Sequence, residues 1–245
     1  MTKFKKTMKK IGRQIWELVK AAFPATLMYC CAGTVLMMLT MKDTEALQWD
    51  GTKLTWTLVC GIAAMAYNGF LGFAQGGSGY EMLVSGNIKR TAVDEFGEGF
   101  KMSSHKEAKE YRDWKGFAIG GVISLFTIIV GIIFGCNQTT IDGKTLSGGM
   151  GIVVIVCFLL SGWSVLPFYF INLTPGMHVS YFVSCAFAIL PILVTGILYI
   201  VGAYARRNKA IREQELADKA AKAESEKVKK INYGGLPGTK PKKRK

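Results

Sequence analysis

The sequence predicts an all-α fold: a polytopic transmembrane helical bundle with about five hydrophobic segments, an N-terminal amphipathic interfacial helix and a helical basic C-terminal tail. Half of the 245 residues are hydrophobic. Charge is separated from the apolar stretches, because no Asp, Glu, Lys or Arg occurs in residues 21–41, 54–80, 116–141 or 145–205. About 20 apolar residues in a helix cross the ~30 Å hydrocarbon layer of a membrane, so each of these runs is long enough to span it.

This pattern divides the chain into three regions. We expect an amphipathic basic interfacial helix over residues 1–20, a transmembrane domain over 21–205, and a basic cytoplasmic helix with a disordered end over 206–245. The membrane segments are expected at about 21–41, 54–74, 116–136, 149–171 and 180–205. Residues 75–115 are expected to form a cytoplasmic loop.

The first region has the period of a helix that lies on a membrane surface. Its apolar residues recur at steps of three and four, at Phe4, Met8, Ile11, Ile15 and Leu18. Trp16 is suited to anchor this helix among the headgroups, and Pro24 marks the bend into the first span. The residues predicted to contact anionic headgroups, here and after the last span, are Lys5, Lys6, Lys9, Lys10, Arg13, Arg206, Arg207 and Lys209.

Charge also predicts orientation. The chain carries 31 basic and 17 acidic residues, and basic flanks of membrane segments stay in the cytoplasm because their export is disfavoured. We therefore expect the N-terminus, the loop 75–115 and the C-terminal tail on the cytoplasmic face of the cell membrane. Five crossings would place the two ends on opposite sides. A segment at 148–171 that enters and leaves on one face would remove this conflict, and the number of crossings, four, five or six, stays open.

Small residues follow one face of the third segment. They recur at steps of three and four, which is typical of helices whose backbones approach closely inside a membrane. The pattern predicts a packing surface for another helix, either within the chain or in a second subunit. Its members are Gly116, Gly120, Ser124, Thr127, Gly131 and Gly135.

A second group of small residues follows the second segment, where glycine permits either a tight turn or a close helix contact. We treat it as a candidate functional loop, made of Gln75, Gly76, Gly77, Ser78, Gly79, Tyr80 and Glu81. Two helix starts are predicted beyond it, at Thr91 with Asp94 and at Ser104 with Glu107. The second of these helices is expected to run through Tyr111 and Trp114 into the third segment.

Residues 76–79 also resemble the G-x-S-G nucleophile string of rhomboid intramembrane proteases, which would make Ser78 a nucleophile and His178 its partner. The further His and Asn and the six spans of that family are missing, so we interpret the string as a glycine-rich helix end. The six cysteines lie in or beside hydrophobic runs without metal-ligand spacing. We predict no catalytic site, metal site or cofactor.

The expected function is therefore that of a non-enzymatic membrane accessory or scaffold protein, which acts through helix packing and basic cytoplasmic surfaces. Its expected partners are anionic lipid headgroups and a membrane protein or a second copy of the chain. Nucleic acid is not expected, because Tyr233 is the only aromatic residue of the tail. The alternative is a permease or channel-forming component with a neutral polar pathway, lined by Tyr67, Asn68, Gln75, Ser161, Trp163, Ser164, Tyr169 and Asn172.

Overall fold

A computed structural model describes residues 2–40, 51–91, 108–142, 148–174 and 176–233, and these residues form helices and short connections without a strand. Within these described ranges, five helical stretches are long and apolar enough to cross a membrane. The α-helices are α1 (Thr2–Thr40), α2 (Gly51–Thr91), α3 (Asp113–Cys136), α4 (Gln138–Asp142), α5 (Gly148–Asn172) and α6 (Ile189–Tyr233). A 3₁₀ helix, Tyr181–Ala188, leads into α6.

The first helix is longer than predicted. The sequence predicts a bend at Pro24 between a surface helix and a span, whereas α1 continues through Pro24 as one helix. A proline removes one backbone hydrogen bond of the helix, and packing on both sides can offset that loss. Ala22, Ala25 and Tyr29 are all buried and provide this packing.

The second helix also extends past its predicted end. Residues 75–91 belong to α2, so the prediction of a loop beginning at residue 75 is wrong. Thr91 is the last residue of α2 and starts no new helix, while Asp94, Ser104 and Glu107 lie outside the described residues. Tyr111 lies in a non-helical connection, and α3 begins only at Asp113.

Helix α5 folds back on itself at Ser161, where the backbone leaves the helical conformation with φ −150° and ψ 37°. The rings of Phe158 and Tyr169 lie on the two sides of this break, with centroids 5.7 Å apart. The Cα atoms of two residues with this separation in sequence would lie about 16 Å apart in a straight helix. We call α5 the helical hairpin, with a first half before Ser161 and a second half after it.

Both ends of the helical hairpin lie at the same end of the bundle. The amide of Asn172 bonds to both backbone groups of Val179, and Gln138 of α4 donates to the Val179 carbonyl over 3.1 Å. The Tyr181 hydroxyl donates to the Asp142 carboxylate at 2.6 Å. The Phe158 ring packs on Phe134 at 5.3 Å between centroids, and Ser161 bonds to Thr127 two turns earlier in α3, so the first half of the hairpin runs antiparallel to α3. The C-terminal end of α3 and both ends of the hairpin therefore lie at the same end of the bundle.

The chain forms two compact units, Met1–Ala203 and Tyr204–Lys245. In the second unit, the described residues are helical up to Tyr233, and every side chain in 211–226 is exposed. Lys209 pairs with Glu213 along this helix at 3.9 Å.

Candidate functional site

The predicted packing surface of α3 is in contact with the 3₁₀ helix and with the first part of α6 in the same chain. Gly116 faces Tyr199, and a methyl group on Gly120 would lie 2.6 Å from the Cα of Ile192. The Ser124 hydroxyl donates to the Ala188 carbonyl at 2.6 Å. The last two glycines, Gly131 and Gly135, face Ser184, Cys185 and Phe182 of the 3₁₀ helix. Thr127 is the exception, because it turns towards the helical hairpin.

Helix α2 presents a second glycine set to α6, which the sequence interpretation missed. Gly69, Gly72 and Gly76 recur at steps of three and four, and their added methyl groups would collide with Leu198, Thr195 and Tyr199. The signal was the same spacing that identified the surface on α3. The sequence interpretation leaves open a tight turn or a close helix contact at Gly76, and it does not single out Gly69 and Gly72. Together the two sets hold α6 between α2 and α3.

A buried hydroxyl cluster lies where the helical hairpin turns. The Ser161 hydroxyl is 3.0 Å from both the Thr127 hydroxyl and the Ser164 hydroxyl. The Ser164 hydroxyl also donates to the Ser161 carbonyl at 2.9 Å. These bonds satisfy polar groups that a break in a helix leaves exposed inside an apolar bundle.

The residues of the predicted neutral pathway take part in several separate contacts. Asn68 lies 3.2 Å from the Thr195 hydroxyl between α2 and α6. Trp163 stacks on Tyr29 of α1, and Tyr169 packs against Phe158 within the hairpin. Asn172 binds Val179 at the end of the hairpin, and Tyr67 is exposed.

At the end of the bundle opposite to the two ends of the hairpin, α1, α2, α3 and the connection before α3 line an open-sided cavity of about 260 Å³, which we call the basal cavity. Two residues of the candidate functional loop, Gln75 and Ser78, line it, while Gly76 and Gly79 are buried in helix contacts. Gly77 and Tyr80 are half-buried, and Glu81 is exposed. The remaining lining residues are Glu17, Ala21, Met82, Lys109, Lys115 and Ile119.

Hydrogen bonds from three elements fix the walls of the basal cavity. The Gln75 amide donates to the Ala21 carbonyl at 2.8 Å, which joins α2 to α1. The Tyr111 backbone amide donates to the Gly79 carbonyl at 3.0 Å, so the connection before α3 docks on α2. The Lys115 ammonium donates to the carbonyls of Ala108 at 2.7 Å and Glu110 at 3.4 Å.

The charged groups of the basal cavity sum to one positive charge. Lys109 and Lys115 line it together with a single acid, Glu17. Glu17 lies 3.6 Å from Lys20, which stands over the exposed ring of Trp16 at 5.4 Å. Sequence reasoning missed this group because its members belong to three segments, and only the fold brings them together.

The residues predicted to contact lipid are spread along the two ends of the chain. Lys9, Lys10, Arg13, Arg207 and Lys209 are exposed, and Arg206 is half-buried. The side chains of Lys5 and Lys6 lie outside the described part of the structure, so their role stays a prediction.

The described residues offer little redox, metal or nucleophile chemistry. The six cysteines are free, and the described ranges contain no group of three or more His, Cys, Asp and Glu side chains that could hold a metal ion. The Ser78 hydroxyl donates to the Gln75 carbonyl of its own helix at 3.1 Å.

Comparison of the whole chain with protein-family models, with curated proteins and with solved structures finds no match.

Proposed function

We propose that this protein is a non-enzymatic accessory or scaffold protein of the cell membrane, which presents charged cytoplasmic surfaces to a partner. One observation carries the proposal: the glycine contacts bring α2, α3 and α6 together at backbone distance, while the helix of the second unit is exposed from Ile211 to Glu226. Close packing through small residues favours a rigid membrane anchor. An exposed helix with many charges has the character of a docking element.

The proposed topology has four crossings, made by α1, α2, α3 and α6, with the helical hairpin entering and leaving from the outer face. The common position of the two hairpin ends supports this arrangement, as does the bond between Thr127 and Ser161 inside the bundle. It places the N-terminus, the connection between α2 and α3 and the tail on the cytoplasmic side. The two strongly basic ends of the chain then lie where basic flanks are retained.

The partner contact is proposed for the second unit. The small residues of α3 face the chain's own last helix, so they are not the partner surface of this proposal. Residues 204–245 contain fourteen basic and five acidic residues, which favours a partner with an acidic surface. Leu216 is 65% exposed among these charges and offers an apolar contact at the centre of such an interface.

Site-specific photo-crosslinking in cells tests the partner proposal. A photoreactive amino acid at Leu216 should give discrete protein adducts, whereas the same probe at Ile129, exposed on α3, should give lipid adducts only. Reversing the charges of Arg212 and Lys219 to Glu should remove the protein adducts from position 216. Absence of protein adducts at 216, or adducts that survive charge reversal, would refute the proposal.

A permease remains the second candidate function, and the break at Ser161 favours it. Broken helices near the middle of a membrane form substrate sites in many transporters. Vesicles containing the purified protein would then take up a neutral polar solute, and Ser161→Val would abolish the uptake. If the solute enters protein-free vesicles at the same rate as vesicles that contain the protein, the permease function is excluded and the scaffold function is favoured.

A further inference from the structure

We propose that the basal cavity binds the phosphodiester group of an anionic phospholipid from the cytoplasmic leaflet, with Lys109 and Lys115 as its cationic ligands. This site is distinct from the exposed basic residues that are predicted to contact the membrane surface. It is built from one end of the bundle and has a defined volume, charge and position. Each of these three properties supports the same ligand.

The volume of the basal cavity suits a headgroup. A water molecule has a share of about 30 Å³ in the liquid, so a cavity of about 260 Å³ has room for a group several times larger. Ala21, Met82 and Ile119 give the cavity an apolar wall, which suits the glycerol and the first methylene groups of a lipid. Inorganic phosphate would leave that wall without contact.

The charge of the cavity matches a phosphodiester, which carries one negative charge. Two ammonium groups and the Glu17 carboxylate leave one net positive charge in the lining. A dianionic monoester would therefore be less well neutralised than a diester. Glu17 selects against higher negative charge, because like charges at close distance repel each other.

The two lysines are placed for complementary roles. Two N–H groups of the Lys115 ammonium donate to the Ala108 and Glu110 carbonyls, which fixes its position and leaves the third donor for a phosphate oxygen. Lys109 is exposed at the rim and can follow the headgroup as it enters. In this proposal Lys115 fixes the position of the phosphate group, and the exposed Lys109 adds electrostatic attraction.

The cavity lies at the level where the bundle meets the headgroups. The charge-free part of α3 begins directly after Lys115, so the cavity is at the boundary between the apolar and charged parts of this helix. Trp114 is half-exposed beside it, and Trp16 is exposed on α1. Tryptophan is enriched at this depth of a membrane because its ring is amphipathic.

Lipid binding to the purified full chain in detergent tests the site. Native mass spectrometry with phosphatidylglycerol should show one saturable high-affinity molecule per chain. Lys109→Gln should weaken this binding about fivefold, since a lysine near anionic lipid contributes about that factor. The control Lys222→Gln, an exposed lysine of the second unit that is not among the predicted headgroup contacts, should leave the affinity unchanged.

Glu17→Gln should change the lipid affinity in the opposite direction to Lys109→Gln. It removes the negative charge of the lining, so the affinity for phosphatidylglycerol should rise. Equal weakening by Lys109→Gln and Lys222→Gln would show nonspecific surface attraction and overturn the site. Glycerol phosphate that displaces the lipid at equal concentration would identify a soluble ligand and overturn the assignment to a lipid. This test is independent of the crosslinking result at Leu216.

Discussion

The hydroxyls of Thr127 and Ser161 lie 3.0 Å apart and join the middle of α3 to the turn of the helical hairpin. Thr127 belongs to the row of small residues whose other members face the 3₁₀ helix and α6. It therefore connects two contacts of α3, one with the last helix and one with the hairpin. The turn of the hairpin therefore lies inside the bundle, at the level of Thr127. The Ser161 and Ser164 hydroxyls do not face lipid, because both residues are buried.

Removing this hydrogen bond should reduce stability by a modest amount. Thr127→Val and Ser161→Ala should each lower the melting temperature, and a double-mutant cycle should give a coupling energy of about 0.6 kcal/mol. Ser225→Ala, on the exposed helix of the second unit, is the control and should have no effect. Coupling indistinguishable from zero would mean that the two hydroxyls do not interact.

Two adjacent glycines of α3 provide a matched pair of substitutions that tests the contact between α3 and α6. Gly120→Ala should lower the melting temperature, because the new methyl group would lie 2.6 Å from the Ile192 backbone. Gly121→Ala should raise stability by about 1 kcal/mol, because nothing lies within 4 Å of its added methyl group and Ala favours helix. Thermal unfolding in detergent measures both, and equal effects of the two changes would argue against this contact.

The folded-back hairpin predicts a specific crosslink. In a protein whose native cysteines have been replaced, Phe158→Cys with Tyr169→Cys should be joined by a short bifunctional thiol reagent. The matched pair Ile119→Cys and Val130→Cys has the same separation in sequence but lies on the straight helix α3, so it should not be joined within one chain. Mass spectrometry of the peptides distinguishes the two results, and a crosslink in neither pair would contradict the hairpin.

Much of the fold could be predicted because apolar length and charge are properties of short segments. For the part of the chain that the structure describes, an all-helical structure and five helices able to span a membrane are confirmed. The end of α2 was predicted wrongly because glycine serves turns and helix contacts equally well, and only the presence of Tyr199 opposite Gly76 decides between them. The basal cavity could not be predicted, because Glu17, Gln75 and Lys115 are far apart in the sequence.

The turn of the hairpin had a signal that the sequence interpretation did not use. Ser161, Gly162 and Ser164 interrupt an otherwise apolar segment, and Pro167 follows within two turns of helix. Small polar residues next to a proline weaken a helix at that point. Charge alone predicts a segment that enters and leaves on one face, but it does not identify the residue at which the segment turns.

Cysteine accessibility in intact cells tests the proposed topology most directly. Single cysteines at Gly149 and Met177, at the two ends of the helical hairpin, should both react with a membrane-impermeant maleimide added outside. Cysteines at Thr2 and Ser225 should react only after the cells are opened. Labelling of Gly149 and Met177 from opposite sides, or labelling of Thr2 and Ser225 from opposite sides, would contradict four crossings with a hairpin that turns inside the bundle.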